Sequence, residues 1–414
     1  MKQLLVLFIT LAPLFSHAVK WVERGNGGFV LKCKDSENQV FDIYEARKRF
    51  QVLDQKNLSS VDERVQYLLG KIEKVNPSRA ALYRGWYASF MGESEFLDGV
   101  ELTPVPDIGL GIKPKNCDLE LAVFQREPDA LNKKRYVISL DLWNSLDNLN
   151  KAALIIHEIT YRELIEVGSM HQTSESTRYF NSALHSEKFE YLTIQEYLSL
   201  LQNLRFPRAD YNGYTIRLMY TLENINWRIS NIEFHANGAL KMALLANDGL
   251  METGNTRYIQ CLPWDSTIHF NEDGTVAQIR TLGTYKPDCD TAYIYQEGTT
   301  KIRFEAEQWT FDKNGQVNKV SGSLDFRDTP TAIVINGILL TRDNQAHYSD
   351  RYDVSVKLNS DGKLHAFEIQ QVSSPCFRKE SSRIEFKIGV NTPPLNLSSQ
   401  KFAEDLAKLP LCKK

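Results

Sequence analysis

The sequence has almost no excess of charge of either sign. Its 414 residues include 49 Lys and Arg against 52 Asp and Glu, which gives a formal net charge of −3. A protein that binds nucleic acid through its phosphates normally carries a basic excess, so we expect no nucleic-acid partner. Charged residues make up 24% and apolar residues 42% of the chain. These values exclude a disordered acidic tail or a collagen-like fibre, and the length allows two or three folded cores.

Long apolar runs are also scarce, and the prominent one is at the N-terminus. Lys2 precedes it, Leu4–Phe15 is nearly all apolar, and Ser16-His17-Ala18 offers small residues for cleavage. The run has about 12 residues, fewer than the roughly 20 that a membrane-spanning helix needs. We therefore predict a signal peptide over residues 1–18 and no transmembrane segment in the mature chain. The mature protein is expected in the periplasm, on the outer-membrane surface or in the medium.

Cysteines are few, and none of them occurs in a Cys-x-x-Cys pair, so a zinc knuckle or a thioredoxin-type redox site has little support. An even number of cysteines in an exported protein favours disulfide bonds. If each predicted domain is closed separately, the simplest pairing joins the six cysteines as Cys33–Cys117, Cys261–Cys289 and Cys376–Cys412.

The pattern before residue 207 is mainly helical. Capping boxes at 60–63 and 193–196 each predict the start of a helix, because a hydroxyl and a carboxylate there can bond to free backbone amides. Between them, the apolar run 136–140 predicts a short strand, and a helix is predicted over about 147–167. We predict that residues 19–207 form an α+β, mainly helical domain.

After residue 207 the apolar residues alternate with polar ones, which is typical of strands with one buried face. Four turns share an apolar first residue and a final Asn-Gly or Asp-Gly: Phe234–Gly238, Phe270–Gly274, Phe311–Gly315 and Leu358–Gly362. Such dipeptides favour tight turns because both residues tolerate positive φ. We predict an antiparallel all-β meander over 208–395, folded as a sandwich, a barrel or a bent sheet. A C-terminal tail over 396–414 follows.

One helix carries residues typical of chemistry. His157-Glu158 follows an apolar helical stretch, as in the H-E-x-x-H motif of zincin metalloproteases, where two His ligands share one helix face and the Glu activates water. Here Tyr161 replaces the second His, and a phenol that titrates near pH 10 is a poor zinc ligand. A zinc site would take its ligands from His157, His171 and His185 together with a carboxylate. Glu158 would then be the general base, and Tyr161 could donate a hydrogen bond in the transition state.

The competing interpretation is structural. His157 and Glu158 would form a buried polar network with Tyr161 and a basic partner, either Arg162 or Arg178. Buried polar groups need partners, and these side chains can satisfy one another. We favour this network, and with it the absence of a cofactor.

Several motifs occur in a fixed order: Gly25-Asn26-Gly27-Gly28, Phe41–Ala46, Asn116-Cys117 to Gln125, His157-Glu158-x-x-Tyr161-Arg162, and Ser176–Asn181. With them, residues of about 20–190 resemble a group of uncharacterised exported proteins of Bdellovibrio-type predatory bacteria. The resemblance implies export, and it implies that His157, Glu158, Tyr161 and Arg178 form one constellation. A looser likeness is to a degenerate zincin helix.

Two functional hypotheses follow. The first is a non-enzymatic binding or structural protein of the envelope or medium, whose β domain binds a protein, a glycan or a lipid. The alternative is a zinc-dependent hydrolase of peptide or cell-wall substrates that uses His157 and Glu158. No G-x-S-x-G nucleophile elbow is present in the sequence.

Overall fold

A computed structural model gives the fold of the chain. It describes residues 23–26, 28–34, 36–50, 58–103, 113–128, 133–167, 174–222, 226–246, 249–252, 259–262, 266–281, 292–297, 300–325, 333–335, 338–340, 351–358, 360, 364–373 and 383–387. The chain divides into two compact units, which are treated separately below. The first unit is 1–65 with 84–182, and the second is 66–83 with 183–414.

The helices of the described residues lie before residue 204. They are α1 (Phe41–Arg49), α2 (Val61–Val75), α3 (Pro77–Phe90), α4 (Leu140–Ser145), α5 (Asn148–Val167), α6 (Glu175–Leu184), a short 3-10 helix (Glu187–Tyr191) and α7 (Ile194–Asn203). None of these described helices has the length and apolarity that crossing a membrane requires.

Seven short strands alternate with the first helices, and the remaining strands follow α7. The early strands are β1 (Glu23–Asn26), β2 (Phe29–Cys33), β3 (Gln39–Val40), β4 (Ser94–Leu97), β5 (Cys117–Leu121), β6 (Val123–Arg126) and β7 (Tyr136–Ser139). The later strands are β8 (Arg208–Tyr211), β9 (Tyr214–Arg217), β10 (Met219–Leu222), β11 (Asn226–Ile229), β12 (Glu233–Phe234), β13 (Leu240–Leu245), β14 (Gly249–Glu252), β15 (Ile259–Leu262), β16 (Thr267–Phe270), β17 (Val276–Arg280), β18 (Ala292–Glu297), β19 (Thr300–Phe311), β20 (Val317–Asp325), β21 (Ile333–Ile335), β22 (Ile338–Leu340), β23 (Arg351–Leu358), β24 (Leu364–Ser373) and β25 (Arg383–Lys387).

The first unit contains two small sheets, with strand orders β1-β6-β7-β4 and β3-β2-β5. The strand predicted over 136–140 is β7, which pairs antiparallel to β6 and parallel to β4. Apolar side chains of the second sheet and of α1 form one buried cluster that includes Phe29, Leu31, Phe41 and Leu121. This core holds α1 against the sheet.

Both predicted capping boxes are confirmed. At the start of α2, the backbone amide of Glu63 donates to Ser60 Oγ at 3.1 Å, and the Glu63 carboxylate accepts from the Ser60 amide at 3.3 Å. At the start of α7, Thr193 and Glu196 exchange the same two bonds. Each box satisfies backbone donors that the first turn of a helix leaves free.

The predicted bond between Cys33 and Cys117 is confirmed. The two residues lie directly opposite each other on β2 and β5, which are antiparallel. Cys261 lies on β15, where only the backbone is described, and Cys289, Cys376 and Cys412 lie outside the described residues. The other two predicted pairings therefore stay predictions.

The second unit contains a large antiparallel sheet of 14 strands, and this confirms the predicted α+β class. Its main path runs β25-β24-β23-β20-β19-β17-β16-β13-β9-β8, with β12, β18, β21 and β22 paired alongside. Most neighbours on the path are also neighbours in the chain, which is a meander. Separate two-stranded hairpins are formed by β10-β11 and β14-β15.

Three of the four predicted turns lie in the described residues and share one geometry. Gly238, Gly274 and Gly315 have φ of 83°, 82° and 75°, and the amide of each donates to the carbonyl three residues earlier. Each turn is followed by a register shift in the ladder. This is the bulged hairpin turn that requires a left-handed residue, which explains the glycines. The fourth turn, Leu358–Gly362, lies largely outside the described residues.

The predicted boundary at residue 207 falls between α7 and β8, where the described elements change from helix to strand. The two compact units divide the chain differently, within α2, within α3 and after residue 182. The domain limits 19–207 and 208–395 stay predictions. The predicted signal peptide and the tail from residue 396 lie outside the described residues.

Candidate functional site

Three helices of the first unit bring polar side chains together in its interior. Asp42 and Glu45 come from α1, His157 and Glu158 from α5, and Arg178 and Asn181 from α6. We call these six residues the polar cluster. All six are buried, with exposed fractions of 6% or less. Charged side chains are rarely buried to this degree unless they are paired.

One asparagine fixes the start of α1 against the start of α5. The Asp147 carboxylate accepts from the backbone amide of Asn150 at 2.8 Å and so caps α5. The Asn150 side-chain oxygen in turn accepts from the backbone amide of Val40 at 2.8 Å, just before α1 begins. This bond joins the two helices near their starts. It therefore sets the position of Asp42, two residues after Val40, relative to His157, seven residues after Asn150.

His157 and Asp42 form the centre of the polar cluster. His157 Nδ1 lies 2.8 Å from Asp42 Oδ2, and neither side chain is exposed. Asn181 Nδ2 donates to the same Asp42 oxygen at 2.7 Å and to the Ala153 carbonyl at 2.9 Å. The amide of Asn181 therefore ties α6 to both α1 and α5.

Glu158 is held on the other side of α5 by two donors. One oxygen accepts from the backbone amide of Gly28 at 2.7 Å, and the other accepts from Gln125 Nε2 at 2.9 Å. Gln125 Nε2 also donates to the backbone carbonyl of Glu158 at 2.7 Å. A Cβ at Gly28 would lie 2.0 Å from a methyl group of Leu154, so the close approach of this backbone to α5 depends on glycine.

Arg178 links α6 to α1. Its Nε donates to Glu45 at 3.2 Å, one of its terminal nitrogens donates to Ser174 Oγ at 2.9 Å, and its guanidinium lies over the Phe41 ring. Arg49 also approaches Glu45, at 3.1 Å, from the exposed end of α1. The buried Glu45 carboxylate is thus compensated by two cations.

The charges in the polar cluster shift one another's titration. Burial raises the pKa of Asp42, but the charge and hydrogen bond of His157, together with Asn181 and Arg178, outweigh it, so the pKa lies below its ordinary value. Burial lowers the pKa of His157, and the Asp42 charge and hydrogen bond outweigh that effect, so its pKa lies above the ordinary value. Because Asp42 is ionised, Nδ1 of His157 carries the hydrogen and donates it.

The glutamates behave differently. Burial raises the pKa of Glu158, and His157, Gln125 and Gly28 offset this only in part. Burial also raises the pKa of Glu45, against the opposing charge of Arg178. Both carboxyls therefore hold a proton more strongly than they would in water.

Tyr161 lies in the buried interior beside His157, whereas Arg162 lies in a partly exposed group of ion pairs. Tyr161 is fully buried, and its ring centre is 6.3 Å from that of His157. Arg162 instead bonds to Glu93 and Glu166 at 3.0 Å each, in a partly exposed group of ion pairs that also includes Arg135. Of the two basic partners that the sequence offers for His157, Arg178 is the one in the polar cluster.

The other two candidate ligands are His171 and His185. His171 lies outside the described residues, and His185 is buried just after α6, in the second unit. In the part of the chain that the structure describes, no three His, Cys, Asp or Glu side chains are placed to hold a metal ion.

Sequence reasoning did not select Gly28, Asp42, Glu45, Gln125 and Asn181 individually. Each of them nevertheless lies within one of the ordered motifs that carry the resemblance described above. The motifs are far apart in the chain. The structure nevertheless brings at least one residue of each motif into the polar cluster or into a hydrogen bond with it. The fixed order of these motifs was the sequence feature from which these residues could have been selected.

Comparison of the chain with protein-family models, with curated protein sequences and with solved structures gave no match. The geometry of the polar cluster is therefore the feature from which a function is inferred. A fully buried group of this kind joins helices and holds protons, and its side chains do not face the solvent.

Proposed function

We propose that this chain is an exported binding or structural protein without enzymatic activity, whose helical N-terminal part is a scaffold. The environment of Glu158 is the observation that carries the proposal. Its side chain is fully buried, and its two oxygens accept from the Gly28 amide and from Gln125.

A general base must reach the proton that it removes, directly or through one water molecule. Glu158 faces two protein donors instead. Turning it toward a substrate would leave these buried donors unpaired, at about 1–3 kcal/mol each. The motif His157-Glu158 is therefore better explained as a support of the fold than as a catalytic pair.

Export is the second part of the proposal. It is supported by the signal-like N-terminal segment and is compatible with the disulfide bond between Cys33 and Cys117. The mature chain isolated from cells is expected to begin at Val19. An N-terminal sequence that retains residues 1–18 would contradict cleavage.

The scaffold role is tested by replacing Glu158. The variant Glu158→Ala removes the shared acceptor of two buried donors and is expected to lower the free energy of unfolding by about 1–3 kcal/mol. Glu37→Ala, which removes an exposed carboxylate, is the control and should change it by less than about 0.5 kcal/mol. Equal stabilities of the two variants in urea titrations would contradict the scaffold role.

The binding role is assigned to the antiparallel sheet, with a protein, a glycan or a lipid as partner. The full oxidised chain can be tested by co-sedimentation with isolated cell-wall glycan and with phospholipid vesicles, and by cross-linking to envelope proteins. Saturable binding in one of the three assays supports the role. Failure in all three would contradict it and leave a purely structural protein.

One observation favours the alternative, a zinc-dependent hydrolase. Asp42 binds Nδ1 of His157, and a carboxylate in that position typically orients a histidine whose Nε2 binds a metal. Nε2 is buried and makes no hydrogen bond within the described residues. Stoichiometric zinc in the untagged protein, lost in His157→Ala, would support the hydrolase and overturn the scaffold proposal. Equal metal content in the two forms would contradict a zinc site at His157.

A further inference from the structure

Three Asn-Gly pairs lie in hairpin turns of the second unit. Asn212-Gly213 joins β8 to β9, Asn237-Gly238 joins β12 to β13, and Asn314-Gly315 joins β19 to β20. All three asparagines are exposed. The pairs Asn26-Gly27 and Asn336-Gly337 lie wholly or partly outside the described residues and are not compared.

The three side chains differ in what holds them. Asn212 Nδ2 donates to the Gly274 carbonyl at 2.7 Å. Asn237 Nδ2 donates to the Glu272 carbonyl at 3.2 Å, and its oxygen accepts from the Ala239 amide at 3.0 Å. The side-chain amide of Asn314 makes no hydrogen bond within the described residues, and only its backbone amide is engaged, with Asp312.

We propose that Asn314 is a site of spontaneous deamidation, and that the folded protein is modified there before Asn212 and Asn237. The backbone nitrogen of Gly315 attacks Cγ of Asn314, a carbon–nitrogen bond forms, and the side-chain nitrogen leaves as ammonia with the proton from Gly315. Water then opens the cyclic imide at either carbonyl. The products are aspartate and isoaspartate.

At each of these turns the residue after the asparagine is a glycine, and the attack is possible because no Cβ hinders the approach of the glycine nitrogen. The three turns differ in whether hydrogen bonds hold the asparagine side chain. Asn237 and Gly238 occupy the same kind of turn as Asn314 and Gly315, and both glycine amides donate to the carbonyl three residues earlier. Freeing a hydrogen-bonded amide lowers the reactive population by about fivefold per bond.

The side chain of a neighbouring Asp-Gly pair is also held by hydrogen bonds. Asp273 precedes Gly274 in the third comparable turn, and its carboxylate accepts from both the backbone amide and the hydroxyl of Thr275, at 2.9 and 2.6 Å. These bonds lower the pKa of Asp273. Its side chain is therefore tethered, like those of Asn212 and Asn237.

Modification would change the turn that joins β19 to β20. Aspartate adds a negative charge two residues from Asp312, and isoaspartate also lengthens the backbone of the turn by one carbon. Phe311 and Val317 are the first paired residues after the turn. Their pairing is where the effect on the ladder should begin.

The test follows all three sites by peptide mass spectrometry during incubation of the full oxidised protein in mildly alkaline buffer. The same protein in denaturant is the control, because the tethers are absent there. We expect similar rates at the three sites in denaturant. In the folded protein we expect Asn314 to convert at least about fivefold faster than Asn237 or Asn212.

Asn314→Gln provides the second control, since it should abolish the modification in the peptide that contains Gly315. The proposal is overturned if folded Asn237 or Asn212 converts as fast as Asn314. It is also overturned if Asn314 is unmodified in the folded protein after the time in which the denatured protein has converted.

Discussion

The backbone amide of Gly28 donates a 2.7 Å hydrogen bond to the carboxylate of Glu158, a residue 130 positions further along the chain. The carbonyl of Gly28 accepts from the Ala122 amide at 3.0 Å. Gly28 thus bonds to α5 through its amide and to the residue between β5 and β6 through its carbonyl.

Replacing Gly28 by alanine is expected to destabilise the protein. The new methyl group would displace buried Leu154 and shift the amide that Glu158 needs, at a cost of about 1–3 kcal/mol. Gly85→Ala is the matched control, because Gly85 lies within α3 with open space around its Cβ position. That change should stabilise by about 0.5–1 kcal/mol. Urea titrations that give both variants the same sign would contradict the packing at Gly28.

Breaking the buried pair of His157 and Asp42 should cost more than breaking an exposed one. Asp42→Asn removes the buried carboxylate that pairs with His157 and is expected to cost about 3–5 kcal/mol. Asp118→Asn breaks the exposed pair with Lys113, where the side chains are 82% and 46% exposed, and should cost at most about 1 kcal/mol. Calorimetric unfolding of both variants decides the comparison.

The same pair predicts a pH dependence of stability. The pKa of His157 is raised, so its contribution is complete below the unfolded value of about 6.5 and is lost as the pH rises through the folded value. The pKa of Asp42 is lowered, so its contribution is complete above about 4 and is lost as the pH falls through the folded value. Their joint contribution is therefore greatest between about pH 4 and 6.5.

The variant His157→Gln isolates this dependence. Glu45 and Glu158, whose pKa values are raised, also favour the folded state at acid pH, but they are present in both proteins. The difference in unfolding free energy between wild type and variant should shrink as the pH rises above about 6.5. A difference that stays constant or grows toward alkaline pH would show that His157 is not held as a cation.

The disulfide bond between Cys33 and Cys117 should contribute substantially to stability. It closes a loop with a sequence separation of 84 residues, for which the loss of chain entropy in the unfolded state corresponds to about 4.5 kcal/mol. The double variant Cys33→Ser, Cys117→Ser should be less stable by about this amount in the absence of reductant. If it unfolds at the same urea concentration as the oxidised protein, the bridge contributes nothing.

Local features were predictable from the sequence and remote ones were not. The capping box of Ser60 and Glu63 and the turn glycines depend on residues within five positions, so a short window contains their whole physical cause. The partner of His157, Asp42, is 115 residues away, and no periodicity connects the two. Only the packing of α1 against α5 brings them together.

The choice between Arg162 and Arg178 illustrates the same limit. Both residues are arginines that lie on predicted helices, so the sequence gives no reason to prefer one of them as the partner. Arg162 is on α5 itself and points to Glu93, whereas Arg178 reaches the polar cluster because Asn181 ties α6 to the other helices. Tertiary placement, which the sequence pattern does not contain, decides between them.

The bridge between Cys33 and Cys117 also limits how far the chain can be stretched. A protein under tension lengthens by straightening its backbone, at about 3.3–3.6 Å for each residue released. The covalent bond withholds the 84 positions between the two cysteines from that extension, which is roughly 290 Å of contour length. The helices α1, α2 and α3 lie entirely inside the closed loop, so they would carry no tension while a pulling force passes through the two sulfur atoms.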